Sequence, residues 1–84
     1  MKIEWAEEAW DDYLYWQQTN KLTLKRINAL IRDIQRDPFA GIGKPEPLKH
    51  HLSGFWSRRI DEEHRLVYAA VDERLQIAQC RYHY

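Results

Sequence analysis

The chain has 84 residues, 44% apolar and 31% charged, and its 13 basic and 13 acidic side chains cancel to a net charge of zero. That length holds one domain over residues 1–84, burying roughly 60–65% of the unfolded surface, and the composition excludes disorder. A single cysteine excludes a disulfide frame or zinc cluster, and zero net charge argues against a nucleic-acid clamp driven by counterion release. No apolar run nears the ~18 residues of a membrane span and no signal-peptide pattern precedes the first helix, so the expected location is cytoplasmic.

Ile3 and Trp5 alternate as in a short opening strand. From Glu7 the period changes: Ala6, Ala9, Trp10, Tyr13, Leu14 and Gln17 recur at three- and four-residue spacing and predict an amphipathic helix. Glu7 and Glu8 fall in its first turn, where the helix dipole favours anions. Thr19-Asn20 breaks the pattern and can cap a second helix, whose apolar stripe is Leu24, Ile27, Leu30, Ile31 and Ile34. That helix stops at Asp37-Pro38.

Charge divides between the two. Residues 1–20 hold Lys2 against Glu4, Glu7, Glu8, Asp11 and Asp12, whereas residues 21–36 hold Lys21, Lys25, Arg26, Arg32 and Arg36 against Asp33. Either the acidic and basic helices pair with each other, or the basic one docks on a polyanion such as ribosomal RNA.

Every proline and glycine lies between Pro38 and Gly54. A loop of that length in so small a domain is usually functional, and it has room for a short strand near Leu48. Period-two patterning then gives strands over Phe55–Ile60, His64–Val71 and Leu75–Tyr82, with turns at 61–63 and 72–73. Leu66–Val71 is apolar on both faces, as in a central strand. The expected class is α+β: a strand, two helices, a long loop and an antiparallel meander.

Several residues suit RNA cleavage without a metal. That reaction needs a base for the ribose 2′-hydroxyl, an acid for the departing 5′-oxygen, cations for the phosphorane, and a surface that splays the nucleotides. Glu46 is held between Pro45 and Pro47, so it is either a base aimed by a rigid backbone or a surface carboxylate in a stiff turn. Arg58, Arg59 and Arg65 surround the predicted hairpin. With a three-residue turn, Arg59 and Arg65 face each other and invite an anion between them; in another register each pairs with Asp61, Glu62 or Glu63.

Of His50, His51, His64 and His83, no two have helical metal-ligand spacing. His83 stands out within the terminal Arg81-Tyr82-His83-Tyr84, since an imidazole titrates near neutral pH. Tyr82 and Tyr84 alternate with it, which leaves one phenol for the core and one for stacking. Cys80 is read as core. Trp5, Trp10, Tyr13 and Trp16 read as helix-to-sheet packing, and Trp56 stays open between packing and stacking.

Three blocks carry a family resemblance. Lys44-Pro45-Glu46-Pro47-Leu48-Lys49-His50 with Leu52-Ser53-Gly54-Phe55-Trp56-Ser57-Arg58-Arg59-Ile60, then His64-Arg65-Leu66-Val67-Tyr68, then Arg81-Tyr82-His83-Tyr84, resemble the signature of the YoeB toxins in the RelE-like superfamily. The start, with Trp5, Trp10-Asp11-Asp12-Tyr13 and Tyr15-Trp16, is similar too, so the resemblance spans the chain. It implies a microbial-ribonuclease-like fold, an antiparallel sheet with two N-terminal helices on one face. It further implies a cofactor-independent mRNA endonuclease that cuts the codon in the A site of the 70S ribosome.

On that resemblance Glu46 is the general base, His83 the general acid and Arg65 the transition-state cation, while Lys49, Arg59 and Tyr84 position phosphate and nucleotide. The implied partners are a YefM-type antitoxin, which wraps the toxin, displaces its C-terminal residues and reads operator DNA, and a second toxin copy. His51 stands where a polar amide is expected. Ala6 replaces an expected capping serine, a loss of ~1 kcal/mol. Two other readings remain: a non-catalytic blocker of the A site acting through the basic helix and arginines, and a structural module that holds a partner peptide in its loop groove.

Overall fold

The computed structural model describes residues 1–84. Strand β1 (Lys2–Trp5) leads into helices α1 (Glu7–Thr19) and α2 (Lys21–Arg36). After the long loop come β2 (Glu46–Pro47), a 3-10 turn at His50–Leu52, β3 (Trp56–Arg59), β4 (Arg65–Val71) and β5 (Arg74–Gln79). The five strands form one sheet in the order β1-β5-β4-β3-β2, with β4 central as its two-sided apolar pattern requires.

The sheet is not purely antiparallel. β1 pairs parallel with β5, Ile3 opposite Leu75 and Trp5 opposite Ile77. Parallel neighbours need a long crossover, and here α1, α2 and the other strands supply it. Alternation reports which face a side chain takes and carries no information on the direction of the neighbouring strand.

Both helices cover one face of the sheet. Ile27, Leu30, Ile31 and Ile34 of α2 meet Leu66, Tyr68, Leu75 and Ile77 of the sheet in the core. Each fully buried aliphatic side chain contributes roughly 1.5–3 kcal/mol. α2 is capped as expected, Asn20 accepting a hydrogen bond from the Thr23 amide at 3.1 Å. α1 starts at Ala6 without a side-chain cap. Its buried face is Ala9, Asp12 and Trp16, whereas Trp10, counted into the stripe from the sequence, is 44% exposed. Trp10 still stacks on Tyr13, which lies 4.9 Å from Trp5, so the packing between α1 and β1 is aromatic.

Arg58 departs most from its sequence reading. It is fully buried, on the helix side of the sheet, and takes no part in a cationic hairpin surface. Its guanidinium donates to Asp33 Oδ2 and to the carbonyls of Asp37, Ala40 and Ile42, while Nε donates to Tyr68 Oη. The first half of the loop is thus wound around one cation. Gly43 completes it at φ +79°, where a Cβ would sit 2.8 Å from Leu30 Cδ2.

The last strand ends sooner than alternation predicts, at Gln79 rather than Tyr82. Cys80 leaves the ladder for α1: its amide donates to Asp12 Oδ2 at 3.1 Å and its carbonyl accepts from Trp16 Nε1 at 2.8 Å. Tyr82 then turns at φ +66°. Strand alternation therefore fails at the terminus, and Tyr82 and Tyr84 are both exposed.

Candidate active-site cleft on the open sheet face

The face away from the helices carries the candidate site. Strand register aligns Glu46 with Ser57, Ser57 with Val67 and Val67 with Gln79, a row across four strands. Arg59 lies directly opposite Arg65, the arrangement expected from a short hairpin turn. Neither arginine forms an ion pair with the turn carboxylates. Asp61 instead accepts from the Glu63 and His64 amides at 2.8 and 2.7 Å and closes the turn.

Backbone contacts aim these groups. Arg65 Nη1 donates to the carbonyls of Asp61 at 2.7 Å and His64 at 3.0 Å, so the guanidinium is fixed while its other N–H groups stay free. The Arg59 amide donates to Gly43 O at 2.7 Å, tying the wound loop to β3 just before Lys44 and Glu46. The C-terminal segment is seated from two sides. Arg65 N donates to Tyr82 O at 3.0 Å, and Tyr82 N donates to His64 Nδ1 at 2.7 Å. His64 must therefore keep a lone pair on Nδ1, and its ring packs edge-on against Trp16 at 4.8 Å. Gln79 Nε2 adds a bond to Arg81 O at 3.1 Å, and the Arg81 guanidinium lies 3.5 Å above the Tyr15 ring.

Together these elements enclose a polar cleft of about 90 Å³ lined by Lys44, Glu46, Ser57, Arg59, Arg65, His83 and Tyr84. The cleft brings together five of the six residues selected from the sequence. Lys49 lies outside it, in an adjoining groove of about 540 Å³ bounded by the β2 segment, the 3-10 turn and Tyr84. The two spaces share Glu46 and Tyr84 as their common wall. His83 is exposed and stacks on Tyr84, ring centroids 4.6 Å apart, with Nδ1 3.2 Å from Tyr84 O. Lys44 of the cleft lining, His50 of the groove lining and Tyr82 of the C-terminal segment have positive φ of 51°, 59° and 66°, as do Asp72 and Glu73 in the β4–β5 turn. Non-glycine residues in that region are strained and cluster at functional sites.

Sequence reasoning missed Ser57 and His64. Ser57 is buried at the floor of the cleft, opposite Glu46. Its signal was parity, since it shares a face with Arg59. His64 gave no signal, because its role depends on the turn at Tyr82. Trp56 resolves as packing, 4.9 Å from Phe39 and against the core.

Away from the cleft, five groups depart from their ordinary acidity: Glu4, Asp12, Asp33, Tyr68 and Cys80. The Ile42 amide, then Arg58 and Arg36, hold the Asp33 carboxyl down at about 2. Burial raises Asp12, and burial with the Asp12 charge pushes the Cys80 thiol up to about 12. No three His, Cys, Asp or Glu side chains gather at metal-binding range.

Residues 5–84 match the family described as YoeB-like toxin of bacterial type II toxin-antitoxin system. Toxin YoeB of Escherichia coli K12 is 70% identical over 84 residues, all of both chains. The chain superposes on the YoeB–YefM complex from Staphylococcus aureus with TM-score 0.93 and 49% identity, and on the YoeB dimer from the same species with TM-score 0.94 and 48% identity. Each superposition covers 100% of this chain and 98% of the other. With this sequence match and this fold, the chain belongs to the YoeB toxin family of bacterial type II toxin–antitoxin systems.

Proposed function

We propose that this toxin is a ribosome-dependent mRNA endonuclease that cuts the message in the A site. The observation that carries the reading is the cleft: a carboxylate, an imidazole and two opposed arginines on one open sheet face. Glu46 takes the 2′-hydroxyl proton, and the 2′-oxygen attacks the adjacent phosphorus. Arg65 and Arg59 stabilise the extra negative charge of the phosphorane. His83 gives its proton to the departing 5′-oxygen. The P–O5′ bond breaks, leaving a 2′,3′-cyclic phosphate and a 5′-hydroxyl. Tyr84 and Lys49 hold the flanking nucleotide and phosphate.

A YefM-type antitoxin is the proposed partner, as in the staphylococcal complex. It covers the cleft, displaces residues 81–84 and supplies the operator-DNA contact. A homodimer follows the staphylococcal YoeB dimer. The site of action is the cytoplasm; no helix is long and apolar enough to cross a membrane.

The test is cleavage of a defined message in a purified translation system, with and without ribosomes. Wild type yields ribosome-dependent cuts ending in 2′,3′-cyclic phosphate. Glu46→Gln and His83→Gln each lower the rate by about 10²–10⁴-fold, the span of general acid–base catalysis, with unchanged thermal unfolding. An intact message on a halted ribosome would instead make the protein a steric blocker.

A further inference from the structure

Tyr82 is the last residue that hydrogen bonds tie to the fold. Its carbonyl accepts from Arg65 N at 3.0 Å, and its amide donates to His64 Nδ1 at 2.7 Å. Beyond it, His83 and Tyr84 are joined only to each other, through His83 Nδ1 and Tyr84 O. The imidazole that lines the cleft therefore takes its position from the backbone at Tyr82. That backbone is turned to φ +66°, a region costly for a residue with a Cβ and kept only where the surroundings enforce it.

On the amide side the enforcing group is the His64 ring, which is itself rigidly placed. His64 N donates to Asp61 Oδ1 at 2.7 Å and its carbonyl accepts from Ile60 N at 3.0 Å, so its backbone is locked in the β3–β4 turn. Its side chain is 12% exposed and packs edge-on against Trp16. With Nδ1 accepting, the neutral ring carries its proton on Nε2, and Glu63 Oε1 lies 3.5 Å from that atom. His64 is not part of the cleft lining.

We infer that His64 is a positioning residue for the general acid: its unprotonated Nδ1 latches the C-terminal segment, and a proton on that nitrogen opens the latch. The role in cleavage rests on the endonuclease reading above; the latch itself does not. The imidazolium has no lone pair, so protonation sets two N–H groups against each other where the bond now stands. As pH falls, His83 gains the proton that it donates while His64 loses the lone pair that seats it. Cleavage is thus limited on the acid side by a group that never meets RNA. The charges around the ring act in both directions. Glu63 beside Nε2 favours the imidazolium; Arg65, next in the chain, and Arg81, whose guanidinium lies 4.5 Å over the Tyr82 ring, oppose it. Asp61 is engaged by the turn amides and Asp12 of α1 by the Cys80 amide, and the remaining neighbours, Trp16 and Tyr82, present rings.

Two experiments test the latch and the role separately. In the first, NMR of the free wild-type toxin follows the His64 ring nitrogens and the protection factor of the Tyr82 amide from about pH 8 to 5, the range in which histidines change charge. Nδ1 should be unprotonated at the upper end, and Tyr82 protection should fall with the same midpoint as His64 protonation. A proton on Nδ1 at the upper end, or a Tyr82 amide still protected once His64 is charged, would overturn the latch. In the second, single-turnover cleavage on programmed ribosomes compares His64→Leu, which fills space against Trp16 but accepts nothing, with His64→Asn, whose amide oxygen accepts near the Nδ1 position and takes up no proton. His64→Leu should lose about 10–10²-fold in kcat at unchanged KM. His64→Asn should recover most of that loss, and its rate should hold to lower pH than that of the wild type. Equal rates for the two variants, or an acid limb in His64→Asn that follows the wild type, would refute the positioning role and leave the endonuclease standing. Absence of cleavage by the wild type would remove the endonuclease reading and the positioning role with it, while the NMR result decides the latch.

Discussion

Arg58 and Asp33 bear on the site without touching it. A fully buried guanidinium that satisfies one carboxylate, three carbonyls and a phenol cannot be removed cheaply. Arg58→Ala leaves Asp33 half-paired and the loop carbonyls open, and stability should fall by about 3–5 kcal/mol, measured by urea unfolding. The pair also sets an acid limit. Asp33 titrates at about 2 in the fold, below the ordinary carboxylate value. Its stabilisation is complete above about pH 4, the unfolded value, and drains away as pH falls through about 2. Thermal unfolding of the wild type should weaken across that window, and Asp33→Asn should have a lower, flatter profile there. A wild-type profile as flat as that of the variant would refute the pairing.

At this scale the sequence misled where it was read by residue type alone. Arg58 next to Arg59 looks like surface charge. In a strand, neighbours take opposite faces, so placing Arg59 over the cleft already sent Arg58 to the core. Glu46 and the opposed Arg59 and Arg65 were legible because prolines and a short turn act locally. His83 was selected by its chemistry, but its seat at His64 and Tyr82 depends on a backbone turn that alternation cannot encode.

At the scale of elements, the helices and the β3–β4–β5 meander followed from periodicity, and the register of the β3–β4 hairpin followed from its turn. Two things had no local signal. One is the parallel pairing of β1 with β5, a contact between the ends of the chain. The other is the early end of β5, where Asp12 and Trp16 of α1 outbid the ladder for the Cys80 amide and carbonyl. The start of α1 at Glu7 followed from the change of period, and the missing cap from the family resemblance: Ala6 holds extended backbone, φ −62° and ψ 150°, with no side-chain bond to the first turn. Ala6→Ser supplies the missing acceptor and should raise stability by about 1 kcal/mol, seen as a higher Tm with unchanged cleavage. A Tm that does not move would mean that the first turn is already satisfied by solvent.

Across the whole molecule, zero net charge conceals a division that bears on how the proposed endonuclease would find its substrate. None of the ion pairs joins acidic α1 to basic α2. Arg36 is held by Asp33, and Arg26 donates to Arg59 O. That leaves Lys21, Lys25 and Arg32 exposed and unpaired. At 3.6 residues per turn they fall within about 40° of one another, a single cationic stripe. Charges placed this way add little to folding, so reversing all three to Glu should change stability by only about 0.5 kcal/mol per site. On the endonuclease proposal, their use is long-range attraction to a phosphate backbone, which salt screens. The triple reversal should weaken co-sedimentation with ribosomes and lower the slope of log affinity against log salt by about three, one for each lost phosphate contact. Cleavage of a message already loaded at saturating toxin should persist, because the stripe lies on the helix layer and the cleft on the opposite sheet face. Loss of cleavage at saturation would tie the stripe to the chemistry; unchanged ribosome binding would show that the toxin docks by another surface.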